Sequence, residues 1–293
     1  MGDREQEQRE TEGSQVINNI NVVDLSLSYA ITKRFAATLS VPFQFATRQQ
    51  KPRINGVLQP RYETQASGLS DIKLLSTAWV LDPDHNKKQN VSVGLGVKFP
   101  TGDKSARDTF QVAKGGVLTS QVRTVDQSIQ PGDGGFGIIF DIYGFREIAP
   151  NWNVFLAGNY IATPEEKNGV PTFRSNPLEA EMSIADQYLA RGGFGYTFLP
   201  KYGLTFTLGG RLEGTPVRDL IGGSNGFRRP GFAVSIEPGL VFLHNSWSAS
   251  VSAPVAIYRN RERSVADMQT SATAHGDAAF ADYMLLFSIG KAF

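Results

Sequence analysis

Almost every segment of this chain that can form an element is written in twos. Val23, Leu25, Leu27, Tyr29 and Ile31 alternate with Asp24, Ser26, Ser28 and Ala30. After Thr32-Lys33-Arg34, the residues Phe35, Ala37, Leu39, Val41, Phe43 and Phe45 alternate with Ala36, Thr38, Ser40, Pro42 and Gln44. Side chains point to opposite faces of a strand in turn, so this is a tight hairpin of two amphipathic strands, each about 10 residues long. The same pattern returns over 71–80 and 91–99, 136–143 and 152–160, 188–198 and 204–213, 232–242 and 247–257, and in the final stretch 282–293. Short turns (32–34, 82–88, 149–151, 200–201, 244–246) alternate with long polar loops (46–68, 100–134, 162–186, the glycine-rich 222–231, and 259–279). The expected fold is therefore all-β: an up-and-down antiparallel barrel with short turns on one rim and long loops on the other.

The two faces differ in kind. One is almost uniformly apolar. The other mixes small residues with Asp24, Asp71, Lys73, Lys98, Asp141, Arg191, Arg211, Glu213, Glu237 and Asp282. In a soluble barrel or sandwich the apolar face points inward. In an outer-membrane barrel it meets lipid and the charges line the lumen. Alternation alone does not separate the two. Strand length, the asymmetry of loop lengths and aromatics near strand ends (Tyr29, Phe35, Phe45, Phe99, Trp152, Phe198, Phe242, Trp247) favour a transmembrane barrel of the bacterial outer membrane. The lumen-lining candidates are then Asp71, Lys73, Lys98, Asp141, Arg191, Arg211, Glu213, Glu237 and Asp282. They either pair and plug the lumen or line a pore and set its selectivity.

Composition narrows the classes. With 293 residues and a net charge of +1 there is no electrostatic case for nucleic acid. Thirty glycines, 19 phenylalanines and 9 tyrosines suit a chain of many strands. The absence of cysteine removes disulfides and thiolate metal sites. No apolar run reaches the ~18 residues of a membrane helix, which says nothing against a strand-built span.

The chain ends on Phe293, with Ile289, Phe287 and Tyr283 on the same face. This resembles the terminal strand of outer-membrane barrels, where a C-terminal aromatic is part of the signal read by the barrel assembly machinery. Lys291 breaks the apolar face and is placed to snorkel at a boundary. Eleven strands are visible in the sequence, whereas single-chain bacterial barrels have an even number. Residues 1–17 are charged and read as a polar loop, with the barrel at 18–293. The expectation is a barrel of 12 strands whose first strand and export signal lie upstream.

Gly68-Leu69-Ser70-Asp71-Ile72-Lys73-Leu74, Val97-Lys98-Phe99-Pro100-Thr101-Gly102-Asp103, Gln127-Ser128-Ile129-Gln130-Pro131-Gly132 and Pro254-Val255-Ala256-Ile257-Tyr258-Arg259-Asn260 resemble an outer-membrane, transporter-like family attributed to the MetA pathway of phenol degradation. The resemblance implies passage of hydrophobic or aromatic compounds across the outer membrane. It carries over no binding residue, cofactor or metal.

Hidden chemistry is sparse. Gly132-Asp133-Gly134-Gly135-Phe136-Gly137 matches the spacing of a dinucleotide fingerprint but leads into a strand, not a helix, so no cofactor is expected. Arg228 and Arg229 in the 222–231 loop either hold an anion such as the phosphate of a lipopolysaccharide or pair with loop acids. His244 beside Asn245, Ser246 and Ser248 is the only local arrangement that a membrane-embedded hydrolase or acyltransferase could use; a polar turn is the plainer account. Pro42, Pro238 and Pro254 interrupt strands and mark either curvature or a lateral opening. The reading is a non-enzymatic passive channel for small molecules, with a closed barrel acting through its loops as a further alternative.

Overall fold

The alternating segments become strands in the computed structural model, which describes residues 11–275 and 280–293. In chain order they are β1 (Ile17–Ala30), β2 (Phe35–Gln50), the two-residue β3 (Arg53–Ile54) and β4 (Val57–Leu58), β5 (Tyr62–Leu69), β6 (Lys73–Trp79), β7 (Gln89–Lys98), β8 (Arg107–Lys114) and β9 (Val117–Thr124). Then follow β10 (Gly137–Ala149), β11 (Trp152–Ala162), β12 (Lys167–Pro171), β13 (Glu181–Ser183), β14 (Gln187–Leu199), β15 (Leu204–Thr215), β16 (Gly231–His244), β17 (Trp247–Ser252), β18 (Val255–Arg261), a short helix α1 (Val265–Thr270) and β19 (Leu286–Lys291).

One large antiparallel sheet, curled on itself, dominates. Its order is β1-β2-β6-β7-β10-β11-β14-β15-β16-β17-β19, which is eleven traversals, the number counted in the sequence. Two traversals are broken in the middle. β6 pairs with the lower half of β2 and β5 with the upper half. Likewise β17 and β18 share β16. The prolines sit at these breaks. The Pro42 carbonyl accepts from Ser70 N at 2.8 Å, and the Pro238 carbonyl from Ala253 N at 3.0 Å, each where the facing strand is interrupted. Pro254 lies in the second gap, and its carbonyl accepts from Met284 N at 2.9 Å. Proline lacks the donor that a continuous ladder needs, so the neighbours bend around it while the carbonyls stay paired.

The long loops are not plain loops, which corrects the expectation. β1 begins at Ile17, six residues before Val23, and β2 runs on to Gln50. The 100–134 stretch carries the hairpin β8–β9, and 162–186 carries β12 and β13. These extensions have polar residues on both faces (Thr47, Arg48, Gln49; Glu63, Thr64, Gln65), so the ladder continues where apolar alternation stops. Residues 1–10 of the expected polar segment lie outside the described residues.

Burial along the strands between the two edges is inverted relative to a soluble sheet, while the edge strands β1 and β19 are exposed on both faces over most of their length. On β7, Val93 and Leu95 are 47% and 59% exposed while Ser92 and Lys98 are 7% and 3% exposed. On β16, Ile236 is 46% exposed between Ser235 at 3% and Glu237 at 7%. The apolar face looks out and the polar face looks in.

At the centre of the inner wall two glycines face each other, Gly193 on β14 and Gly209 on β15. A Cβ on Gly193 would lie 2.6 Å from the Gly209 Cα, so only glycine permits this approach. Gly193→Val should lower the free energy of unfolding in detergent micelles by about 2 kcal/mol, read from the urea midpoint. Gly210→Val, whose Cβ meets nothing within 4 Å, should stay within about 0.5 kcal/mol of the parent.

Candidate functional site

The interior divides into two levels. Toward the long loops it is filled by chain folded inward. Asp126 caps the 3-10 turn Gln127–Ile129 through Ser128 N. This turn presses Val125 and Ile129 against Ala46 on β2 and Ala66 on β5. The inward side chain of Gln44 donates to the Ile129 carbonyl at 2.9 Å. Asp126 receives both terminal nitrogens of Arg229 at 2.7 Å and lies 3.4 Å from Arg48.

A second knot surrounds Asp186. It accepts from the Tyr160 hydroxyl, Thr163 N and Leu220 N, all at 2.7 Å. Its own N–H donates to Asp219 at 2.9 Å, and Asp219 also receives Arg228 at 2.8 Å. Arg228 donates from its other nitrogens to Ser183 Oγ at 2.7 and 3.1 Å. The third knot centres on Lys98, which bridges Asp71 at 3.4 Å and Asp133. Here Asn168 Nδ2 donates to the Asp133 carbonyl at 2.9 Å, and Lys104 Nζ to the Asn168 carbonyl at 2.7 Å. Gly102 and Gly132 cross backbone to backbone at this point. A Cβ on Gly132 would sit 2.7 Å from the Gly102 Cα. The glycine run 132–137 is thus explained by packing between loops.

Arg228 and Arg229 therefore pair with the loop acids Asp219 and Asp126. Asp126, Asp186 and Asp219 were not singled out from the sequence. Their partners come from distant loops, and no local spacing announces them.

Below this layer lies a cavity of ≈ 720 Å³, opening toward the short turns. Arg191 on β14 reaches Glu237 on β16 at 3.0 Å, and Ser252 Oγ donates to the same Oε1 at 3.0 Å. Arg211 binds Glu213 at 2.6 Å and approaches the other Glu237 oxygen at 3.8 Å. Arg191, Arg211, Glu213 and Glu237 are thus one network across three adjacent strands. Asp141 stands apart, accepting from Asn159 at 3.2 Å. Lys73 faces Lys98 across the β6–β7 ladder. Asp282 precedes β19, is largely exposed, and binds Arg259 at 2.6 Å. Aromatic side chains also enter the interior. Trp79 meets Tyr143 and Phe145 edge-on at 6.3 and 6.1 Å. Phe155 crosses Gly193 so that its ring comes within 3.4 Å of a Cβ built on Gly209.

His244 lies at the β16–β17 turn, its ring 6.1 Å from those of Tyr202 and Phe242. Among the described residues no group of three or more metal-ligating side chains forms. At the C-terminus Tyr283, Phe287, Ile289 and Phe293 all stand exposed, and Lys291 lies over the Trp247 and Phe293 rings at 5.3 and 5.2 Å.

Burial alone would raise the Asp126 carboxyl, but the guanidinium of Arg229, with Arg48 behind it, outweighs that and holds it well below the usual carboxylate range. A depressed carboxyl contributes stability above its unfolded value of about 3.9 and loses it only as pH falls through the folded value. Hydrogen exchange of amides in 125–130 should therefore show unchanged protection between about pH 8 and about pH 4. Asp126→Asn should cost about 3 kcal/mol, because it strips the buried Arg229 of its carboxylate. The measurement is the loss of that protection together with the thermal midpoint.

The chain matches no protein-family model and no curated protein.

Proposed function

We propose that the chain is an outer-membrane β-barrel whose lumen is a passive route for small molecules. The observation that carries this is the inverted burial of the strands. An apolar band of this extent on a surface marks a contact with an apolar phase, and polar residues turned inward suit a lumen. Between the edge strands β1 and β19, which do not pair with each other among the described residues, inter-strand ladders satisfy the backbone's polar groups, as lipid demands.

The outward aromatics supply a length. Phe35 and Phe45 on β2, Tyr188 and Phe198 on β14, and Phe232 and Phe242 on β16 are each ten residues apart on the outer face. Ten residues at about 3.3 Å, tilted by about 40°, span roughly 25 Å, the height of the apolar band between aromatic girdles. Lys291 over Trp247 fits the lower boundary, where a lysine reaches toward water. A hydrophobic or aromatic solute is supported by the family resemblance alone. The loop layer with its three knots favours a second reading, a closed barrel that acts through its loops.

The chain has no cysteine, so single spin labels are readily placed. A label at Val93→Cys should be more accessible to oxygen than to a water-soluble nickel complex in lipid vesicles, and one at Ser92→Cys should show no such excess. Equal access of the nickel complex to position 93 would sink the membrane assignment. Single-channel recording in a planar bilayer then separates the two readings. Discrete current steps support the channel, and silence from a folded barrel supports the closed one.

A further inference from the structure

We infer that the loop layer holds a binding site for a small organic carboxylate, built around Arg123 and Arg174. It is separate from the lower cavity, and neither outcome for conductance bears on it. The first observation is a second, smaller cavity of ≈ 140 Å³. Guanidinium groups from three segments converge on it: Arg48 of β2, Arg123 of β9 and Arg174 of the loop after β12. Among the charged residues that line it, only Asp126 is acidic.

The acids nearby leave donors over. Asp126 receives Arg229 at 2.7 Å, with Arg48 at 3.4 Å. Glu179 lies 3.5 Å from one terminal nitrogen of Arg174. Asp108 stands opposite Arg123 in the β8–β9 register, but its carboxylate accepts from Gln65 N and Thr109 N, both at 2.7 Å. Arg123 itself donates from Nε and Nη2 to the neutral Gln121, at 3.1 and 2.7 Å. Among the described residues Arg123 forms no ion pair, and its Nη1 and the Nε and Nη2 of Arg174 have no hydrogen-bond partner. Arg48, Arg123, Arg174 and Arg229 stand against Asp108, Asp126 and Glu179, four charges against three, so one positive charge is left to attract an anion.

The second observation is how the two arginines are held. The Arg123 guanidinium lies over the Phe173 ring at 5.0 Å, and that of Arg174 over the Phe227 ring at 3.7 Å. A ring against its flat face fixes the plane of a guanidinium and leaves the N–H edge for bonds in that plane. Phe173 is itself held at φ 59°, the left-handed region that disfavours a bulky side chain. Strain of this kind persists where the surroundings impose it, and it collects at ligand sites. Here Thr172 N donates to the Ala180 carbonyl at 3.0 Å and Arg174 N to Thr172 Oγ1 at 3.2 Å, which pins the turn.

These features select the ligand. A carboxylate is flat and accepts two parallel N–H bonds from a guanidinium edge. Its single charge matches the one left over, whereas a phosphate monoester, with about two negative charges at neutral pH, overshoots it. Phe110, Phe173, Phe227 and Met182 offer apolar wall to a carbon chain. The volume of ≈ 140 Å³ is well below that of drug-sized sites, so the chain is short.

The test is titration calorimetry at neutral pH on the full chain folded in detergent micelles. Butanoate, its neutral amide butanamide and inorganic phosphate are the probes, and heat-modifiable gel migration checks the fold. Saturable binding of butanoate is expected, with none for butanamide and weaker binding of phosphate. Arg123→Gln and Arg174→Gln should each weaken butanoate binding by about tenfold or more, because each removes a charge-assisted donor. Arg123→Gln leaves every carboxylate its present partners, so it should fold as the parent does. Lys87→Gln, at the lower cavity, should leave the affinity unchanged. No saturable butanoate signal from the folded protein overturns the inference, as does butanamide binding equally well or phosphate binding more tightly. Unchanged affinity in Arg123→Gln, or a comparable loss in Lys87→Gln, puts the anion elsewhere and overturns it too.

Discussion

A polypeptide can turn its apolar side chains outward only if its backbone asks nothing of the surroundings. The antiparallel ladder meets that condition here everywhere between its two edge strands, β1 and β19. From β1 to β19 each traversal is hydrogen-bonded to the next, and even at Pro42 and Pro238 the carbonyls find a donor across the break. Once the ladder is in place, the faces are free to sort by what they meet. Val91, Val93 and Leu95 point away from the interior that Ser92 and Lys98 enter, and the inner space is left to groups that must partner one another.

The ionic knots follow from that arrangement. Asp126, Asp186 and Asp219 are taken out of water by the loops that carry them, and each is met by arginine, backbone N–H or hydroxyl. Partnering of this quality makes a buried charge tolerable, though it adds little over an apolar filling. Its effect is selective. A loop layer held by fork-shaped arginines has one arrangement, whereas an oily plug would have many. The lower cavity is built on a different plan, with hydroxyls, one ion-pair network and a ring over glycines, and it has open space where the upper layer has chain.

The eleven traversals and their outward faces were legible because each apolar residue is flanked by polar or small ones. Legibility fails where that contrast fails. Arg48 and Thr64 extend their strands with polar neighbours on both sides, so the run reads as loop. Phe155 sits between Val154 and Leu156, and three apolar residues in a row hide which one turns inward. The glycines it covers, Gly193 and Gly209, were the available signal, since paired glycines on a polar face leave room for a neighbour's ring. The network of Arg191, Arg211, Glu213 and Glu237 was partly readable, as all four fall on the inward face. Asp282 falls outside it because the last strand proper begins at Leu286.

The bond between Asp126 and Arg229 joins residues 103 positions apart. Four traversals, β10, β11, β14 and β15, separate them in the chain. The two ends of that span are brought together by the curl of the sheet between them, so the layer across the mouth holds only while the wall behind it stays paired.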